Sequence, residues 1–187
     1  MKNKITIGCA NIGDKYGIKS NKVHKDEIDK IFNFCNKNKI IYFDNADNYK
    51  NSYQILSQNN YNVIIDTKIV INEKWNDYKF CLKHLLKIKK KIRNKKIDTI
   101  YIHNPAYLSN KNSKNIIKNL QLLKKNDFFN KIGLSIYSFD NIFRNPQKKI
   151  CDHPQKTSAT LVSWVIPSPY KENSRQCGGG QFVWVAF

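Results

Sequence analysis

The chain has 187 residues, 41% hydrophobic and 25% charged, enough for one medium domain with its own core. That balance excludes a fully disordered or collagen-like chain, and no apolar run approaches the ~20 residues of a membrane span. The formal net charge is +19, yet only Arg93, Arg144 and Arg175 are arginine, and the lysines are scattered apart from the run 87–96. This pattern fits a Lys-, Asn- and Ile-rich coding composition better than a nucleic-acid surface, which favours bidentate arginine.

The element signals alternate along the first 150 residues. Residues 4–8 (KITIG) read as a short strand, and residues 26–36 as a helix with Ile28, Ile31, Phe32 and Cys35 at helical spacing. Residues 40–44 (IIYFD) form an apolar strand run, 52–58 a short helix and 62–69 (NVIIDTKI) the next strand. Residues 76–92 predict a helix whose stripe is Cys81, Leu85, Ile88 and Ile92, widened by Leu82 and Leu86. Residues 98–103 (DTIYIH) are a strand, 113–125 a helix with Ile116, Ile117, Leu120 and Leu123 inward, and 131–136 (KIGLSI) a fifth strand. A further helix is expected to start near Ser138.

The series has the spacing of βαβ units with buried parallel strands, and fits either a doubly wound sheet or a (β/α)8 barrel. Gly8 and Gly13 are too far apart for a GxGxxG turn, which weakens the dinucleotide-fold reading.

Composition changes near residue 150. All lysines but Lys156 and Lys171 lie before it, and the rest carries Ser, Pro, Gln, two tryptophans and the run 178–180 of glycines. The expected division is a barrel-like portion over 1–150 and an atypical tail over 151–187, frame-changed, chimeric or disordered, within which 180–187 has the pattern of a strand. The glycine run lacks the following helix and lysine of a phosphate loop.

Cys9, Cys35, Cys81, Cys151 and Cys177 are odd in number and form no CxxC, which argues against a disulfide framework and a zinc site. Cys35 and Cys81 read as small core residues. The opening residues hold only a short apolar patch broken by Asn11, so no signal peptide is expected, and a reducing cytoplasm is the expected compartment.

Polar residues gather at strand C-termini: Asp44 after IIYF, Tyr49 in the next loop, Lys68 after NVIIDT, and His103 with Asn104 after DTIYI. The C-terminal strand ends of a barrel form its active face. Each residue has a plainer explanation alone: a turn cap for Asp44, packing for Tyr49, a core hydrogen bond for His103. A lysine ending an apolar strand is unusual, because burying an unpaired ammonium is unfavourable. Four such residues on successive units make coincidence the weaker explanation.

The segments themselves resemble a family. FDNADNY (43–49), DTK (66–68), DTIYIHNP (98–105), KIGLSIYS (131–138) and GCANIGDKYGI (8–18) are similar, in order and spacing, to signatures of the aldo-keto reductases. The resemblance covers about residues 4–143. It implies a partial (β/α)8 barrel of about five parallel strands and NADP(H)-dependent reduction of a small carbonyl substrate, with NAD(H) the alternative cofactor. It implies Tyr49 as general acid, and a phenol of ordinary pKa about 10 needs help to act near neutrality. Lys68 would supply that help as a neighbouring cation, and Asp44 would hold Lys68. His103, with Asn104 beside it, would contact the substrate and orient its carbonyl oxygen.

Ser135 would bind the nicotinamide carboxamide, and Cys9 and Ala10 would border the ring. Ile136 stands where the family often has Asn. No metal is implied. Segments that would hold the adenosine phosphate are not matched in residues 151–187, so the expectation is a catalytic set with an incomplete cofactor site. Three other readings stay open: a basic nucleic-acid-binding module, a catalytically inactive fragment, and a barrel enzyme using Lys68 as a Schiff-base lysine.

Overall fold

The computed structural model describes residues 5–12, 23–109 and 113–136, together with strand backbone at 162–163 and 183–185. In chain order these form β1 (Ile5–Gly8), α1 (Lys25–Lys37), β2 (Tyr42–Ala46), α2 (Ser52–Gln58), β3 (Ile64–Ile69) and α3 (Tyr78–Ile92). They continue with β4 (Lys96–Ile102), α4 (Ser113–Lys125), β5 (Lys131–Ile136), β6 (Val162–Ser163) and β7 (Val183–Val185). Single 3-10 turns at Glu73–Asn76 and Pro105–Ser109 precede α3 and α4. The helix expected near Ser138 lies outside the described residues.

The strand order is β6-β5-β4-β3-β2-β1-β7, and every pairing is parallel. The first five strands lie in strict sequence order. A doubly wound sheet reverses direction at a switch point, whereas successive right-handed crossovers of a barrel do not. The described residues are therefore a partial (β/α)8 barrel. The stretch 180–187 contributes β7, which pairs with β1 through Ile5↔Val183, Thr6↔Trp184 and Ile7↔Val185. Among the described residues β6 and β7 do not pair with each other, so the sheet stays open.

Local chemistry sets the helix ends. Glu27 accepts the His24 backbone N–H at 3.1 Å and starts α1, and the Asn38 amide donates to the Phe34 carbonyl at 2.8 Å and closes it. Asp77 caps α3 by accepting from the Lys79 N–H at 3.0 Å. The α3 stripe of Cys81, Leu85, Ile88 and Ile92 is buried as expected, and Leu82 is partly buried against it. Leu86 is 50% exposed, because it lies past the edge of the face that meets the sheet.

Strand alternation then sorts the sheet into two faces. Phe43 of β2 meets Phe32 of α1 with ring centroids 5.8 Å apart, and the Thr67 hydroxyl of β3 bonds that of Tyr53 in α2. Phe43 and Thr67 therefore point to the helices, with Ile65, Ile69, Ile100 and Ile102 of the same parity buried there. The opposite parity faces inward: Asp44, Asp66, Lys68, Thr99, Tyr101, Gly133 and Ser135. Gly133 is required at its place, since a Cβ there would lie 2.4 Å from the Tyr101 ring.

Candidate active site

The polar residues gather because parity and register place them on one inner face. β2 runs two residues further than its apolar run, to Ala46, because the ladder to β3 continues through Asn45↔Thr67 and Ala46↔Lys68. Asp44 thus lies inside β2, and Lys68 is the next-to-last residue of β3.

Lys68 Nζ donates to Asp44 Oδ2, and both side chains are 2% exposed. Lys68 also reaches the Asn45 carbonyl at 3.5 Å. Burial pushes the Asp44 carboxyl up to about 6 against the pull of the ammonium. The same burial lowers Lys68 against the pull of Asp44. Each charge is tolerated there because the other is beside it.

Tyr49 is buried at 5% exposure, with the Lys68 ammonium 5.8 Å from its ring centroid. Its turn is tied down at both ends. The Tyr49 N–H donates to the Ala46 carbonyl at 3.0 Å, and the Ser52 hydroxyl donates to the Tyr49 carbonyl at 2.7 Å. Asn45 Oδ1 accepts from the Ala46 N–H at 2.8 Å and lies 2.6 Å from the same Ser52 hydroxyl.

His103 follows β4, its N–H donating to the Ile69 carbonyl at 2.8 Å, which aligns the ends of β3 and β4. Its imidazole is half-buried. Burial and then the Lys68 charge lower its pKa, so the ring is neutral at physiological pH. Its Nδ1 is buried without a hydrogen-bond partner among the described residues.

Asn104 is turned to a different task. Its amide donates to the Ile71 carbonyl at 2.8 Å and its Oδ1 accepts the Ile71 N–H at 2.9 Å, clamping the loop after β3 to the loop after β4. Cys9 is fully buried, its N–H donating to the Asp44 carbonyl at 2.9 Å. Burial, and next Asp44, push its thiol well up, so it stays neutral and unreactive. Ala10 packs partly buried against the core. Ser135, on the inner face of β5, is 2% exposed with an unpartnered Oγ among the described residues.

Asp66 was not singled out from the sequence, although a carboxylate two residues before Lys68 must share its strand face. It pairs in register with Asp44, accepts a hydrogen bond from Thr99, and keeps Oδ1 buried without a partner. Burial raises its carboxyl to about 6.

A parallel barrel carrying a buried Asp–Lys pair, a tyrosine and a neutral histidine at the strand C-termini is an enzyme-type scaffold. The profile of the Aldo/keto reductase family matches residues 4–153, most of the chain, and the chain belongs to that family.

Solved structures agree on the fold. A Pseudomonas aeruginosa protein assigned as an aldo-keto reductase shares 16% identity at a TM-score of 0.58, covering 78% of this chain and 60% of its own. The glycerol dehydrogenase of Gluconobacter oxydans shares 17% identity at a TM-score of 0.51, covering 75% and 46%. The holo form of an aldo-keto reductase from Bacillus halodurans shares 16% identity at 0.51, covering 71% and 45%. This chain therefore spans about half of the length of these relatives. A search of curated proteins finds no match. No helix among the described residues is long and apolar enough to cross a membrane.

Proposed function

We propose that the site is that of an oxidoreductase reducing a small-molecule carbonyl to an alcohol with NADP(H), and that Tyr49, Lys68, Asp44 and His103 carry the proton chemistry. The observation that carries this reading is the buried Asp44–Lys68 pair set against the ring of Tyr49.

Orphaned polar atoms on the inner face support a polar ligand there: Ser135 Oγ, His103 Nδ1 and Asp66 Oδ1. Ser135 would hold the carboxamide of the cofactor, with Cys9 and Ala10 bordering the ring. When bound, the nicotinamide supplies hydride. The adenosine-phosphate end of the cofactor would extend beyond these residues.

The neutral His103 imidazole can donate a hydrogen bond to the substrate carbonyl oxygen and orient it without adding charge. Tyr49 then delivers a proton to that oxygen. Loss of the phenol proton leaves an oxyanion, which the Lys68 ammonium would stabilise. Asp44 keeps Lys68 charged and directed. Asn104 acts by holding the loop that presents His103, beside any contact it makes to substrate.

The test is NADPH consumption by the full chain against a panel of aldehydes and ketones. Tyr49→Phe is expected to lower kcat by about 10²–10⁴-fold with the fold intact. A Tyr49→Phe variant with undiminished turnover would remove the role assigned to Tyr49.

A further inference from the structure

The turn that carries Tyr49 is gripped from outside the inner face. Asp47, two residues before Tyr49, donates its N–H to the Lys68 carbonyl at 2.9 Å, so its backbone follows the end of β3. Its side chain points away, to α3. Asp47 Oδ2 lies 2.9 Å from His84 Nε2, a close polar contact outside aligned hydrogen-bond geometry, and Oδ1 lies 4.0 Å from Lys91 Nζ.

His84 is itself immobilised. Its ring packs at 5.0 Å against Trp75 and at 6.0 Å against Phe80. Trp75 is 1% exposed, and its carbonyl accepts from the Cys81 thiol at 3.1 Å and from the Asn119 amide at 3.0 Å. Lys91 lies over the Tyr53 ring at 5.5 Å.

An exposed ion pair between free side chains contributes little, because both must be ordered to form it. Here the pair is half-buried and one partner is already fixed in an aromatic slot on a helix with four buried core residues. The imidazole also holds the Asp47 carboxyl below the usual carboxylate range, with smaller help from Lys91 and Lys87.

We propose that His84 is a positioning residue: by holding Asp47 against α3 it fixes the turn that sets the Tyr49 ring beside Lys68. The inference rests on the functional reading above for its catalytic consequence, and on geometry alone for the mechanical coupling.

The test compares the wild-type full chain with His84→Ala, His84→Gln and Asp47→Asn. The first readout is amide hydrogen exchange without ligand. In His84→Ala, exchange over residues 46–52 is expected to rise about tenfold, while α4 is unchanged and circular dichroism shows an intact fold. His84→Gln, which keeps a polar nitrogen at similar reach, is expected to restore most of the protection. Asp47→Asn, which keeps the shape and removes the charge, is expected to fall between.

The second readout is the kinetic split: His84→Ala should lower kcat about tenfold with the carbonyl KM nearly unchanged. Equal exchange in His84→Ala and wild type, or no rescue by His84→Gln in a folded protein, overturns the coupling. Wild-type chain that reduces no carbonyl overturns the functional reading instead, and exchange then decides the coupling alone.

Discussion

At the scale of single residues, the inner face holds more charge than a core tolerates without pairing. Lys68→Met would leave Asp44 buried with no cation, and removing one partner of a buried pair destabilises by about 3–5 kcal/mol. A lowered urea midpoint with an unchanged slope would register that loss. Asp66 accepts from Thr99 rather than from an ammonium, and burial raises its carboxyl as it does that of Asp44. Its carboxyl sits near 6 in the fold against 3.8 in the open chain, so the native state holds the proton more tightly. Its stabilising contribution is therefore present below about pH 4 and is lost as pH rises towards 6. Asp66→Asn is expected to remove that dependence and raise stability at pH 8 by roughly 1–3 kcal/mol. Melts of the variant and wild type between pH 4 and 8 check this, with the difference growing through that window.

At the scale of elements, α3 shows how finely burial divides one helix. Leu85 is fully buried and its neighbour Leu86 is 50% exposed. Leu85→Ala should destabilise by about 2–5 kcal/mol, since it removes core atoms and leaves a cavity. Leu86→Ala should stay within about 0.5 kcal/mol. Chemical denaturation of the two variants measures the contrast directly. The same helix presents His84 to Asp47, so its seating on the sheet bears on the site as well as on the core. Helix types and stripes were legible because period 3.6 survives in Cys81, Leu85, Ile88 and Ile92. Strand ends were less so: apolar content stops at Asp44, while backbone pairing with β3 carries β2 on to Ala46.

At the scale of the whole molecule, the sheet of the described residues ends on β6 and β7. β7 covers the outer side of β1 through three register pairs. A chain ending at residue 180 would leave the β1 edge without that strand, and unpaired edges recruit other chains. Such a chain is expected to melt lower and to associate with rising concentration, which light scattering across a dilution series would detect.

The ordered motifs around Asp44, Tyr49, Lys68 and His103 were readable from the sequence, and with them the barrel class and the family. Local signals suffice there, because each residue follows an apolar strand run and strand direction alone delivers it to one end of a parallel sheet. Other features depended on pairing and packing between distant segments. Parity relative to the helices made Asp66 an inner residue beside Asp44. Register joined residues 183–185 to the first strand. Packing of α3 set His84 between Trp75 and Phe80 within reach of Asp47, 37 residues earlier in the chain. Periodicity shows which face of an element is apolar, but which side chains meet across two faces is decided only when the elements dock.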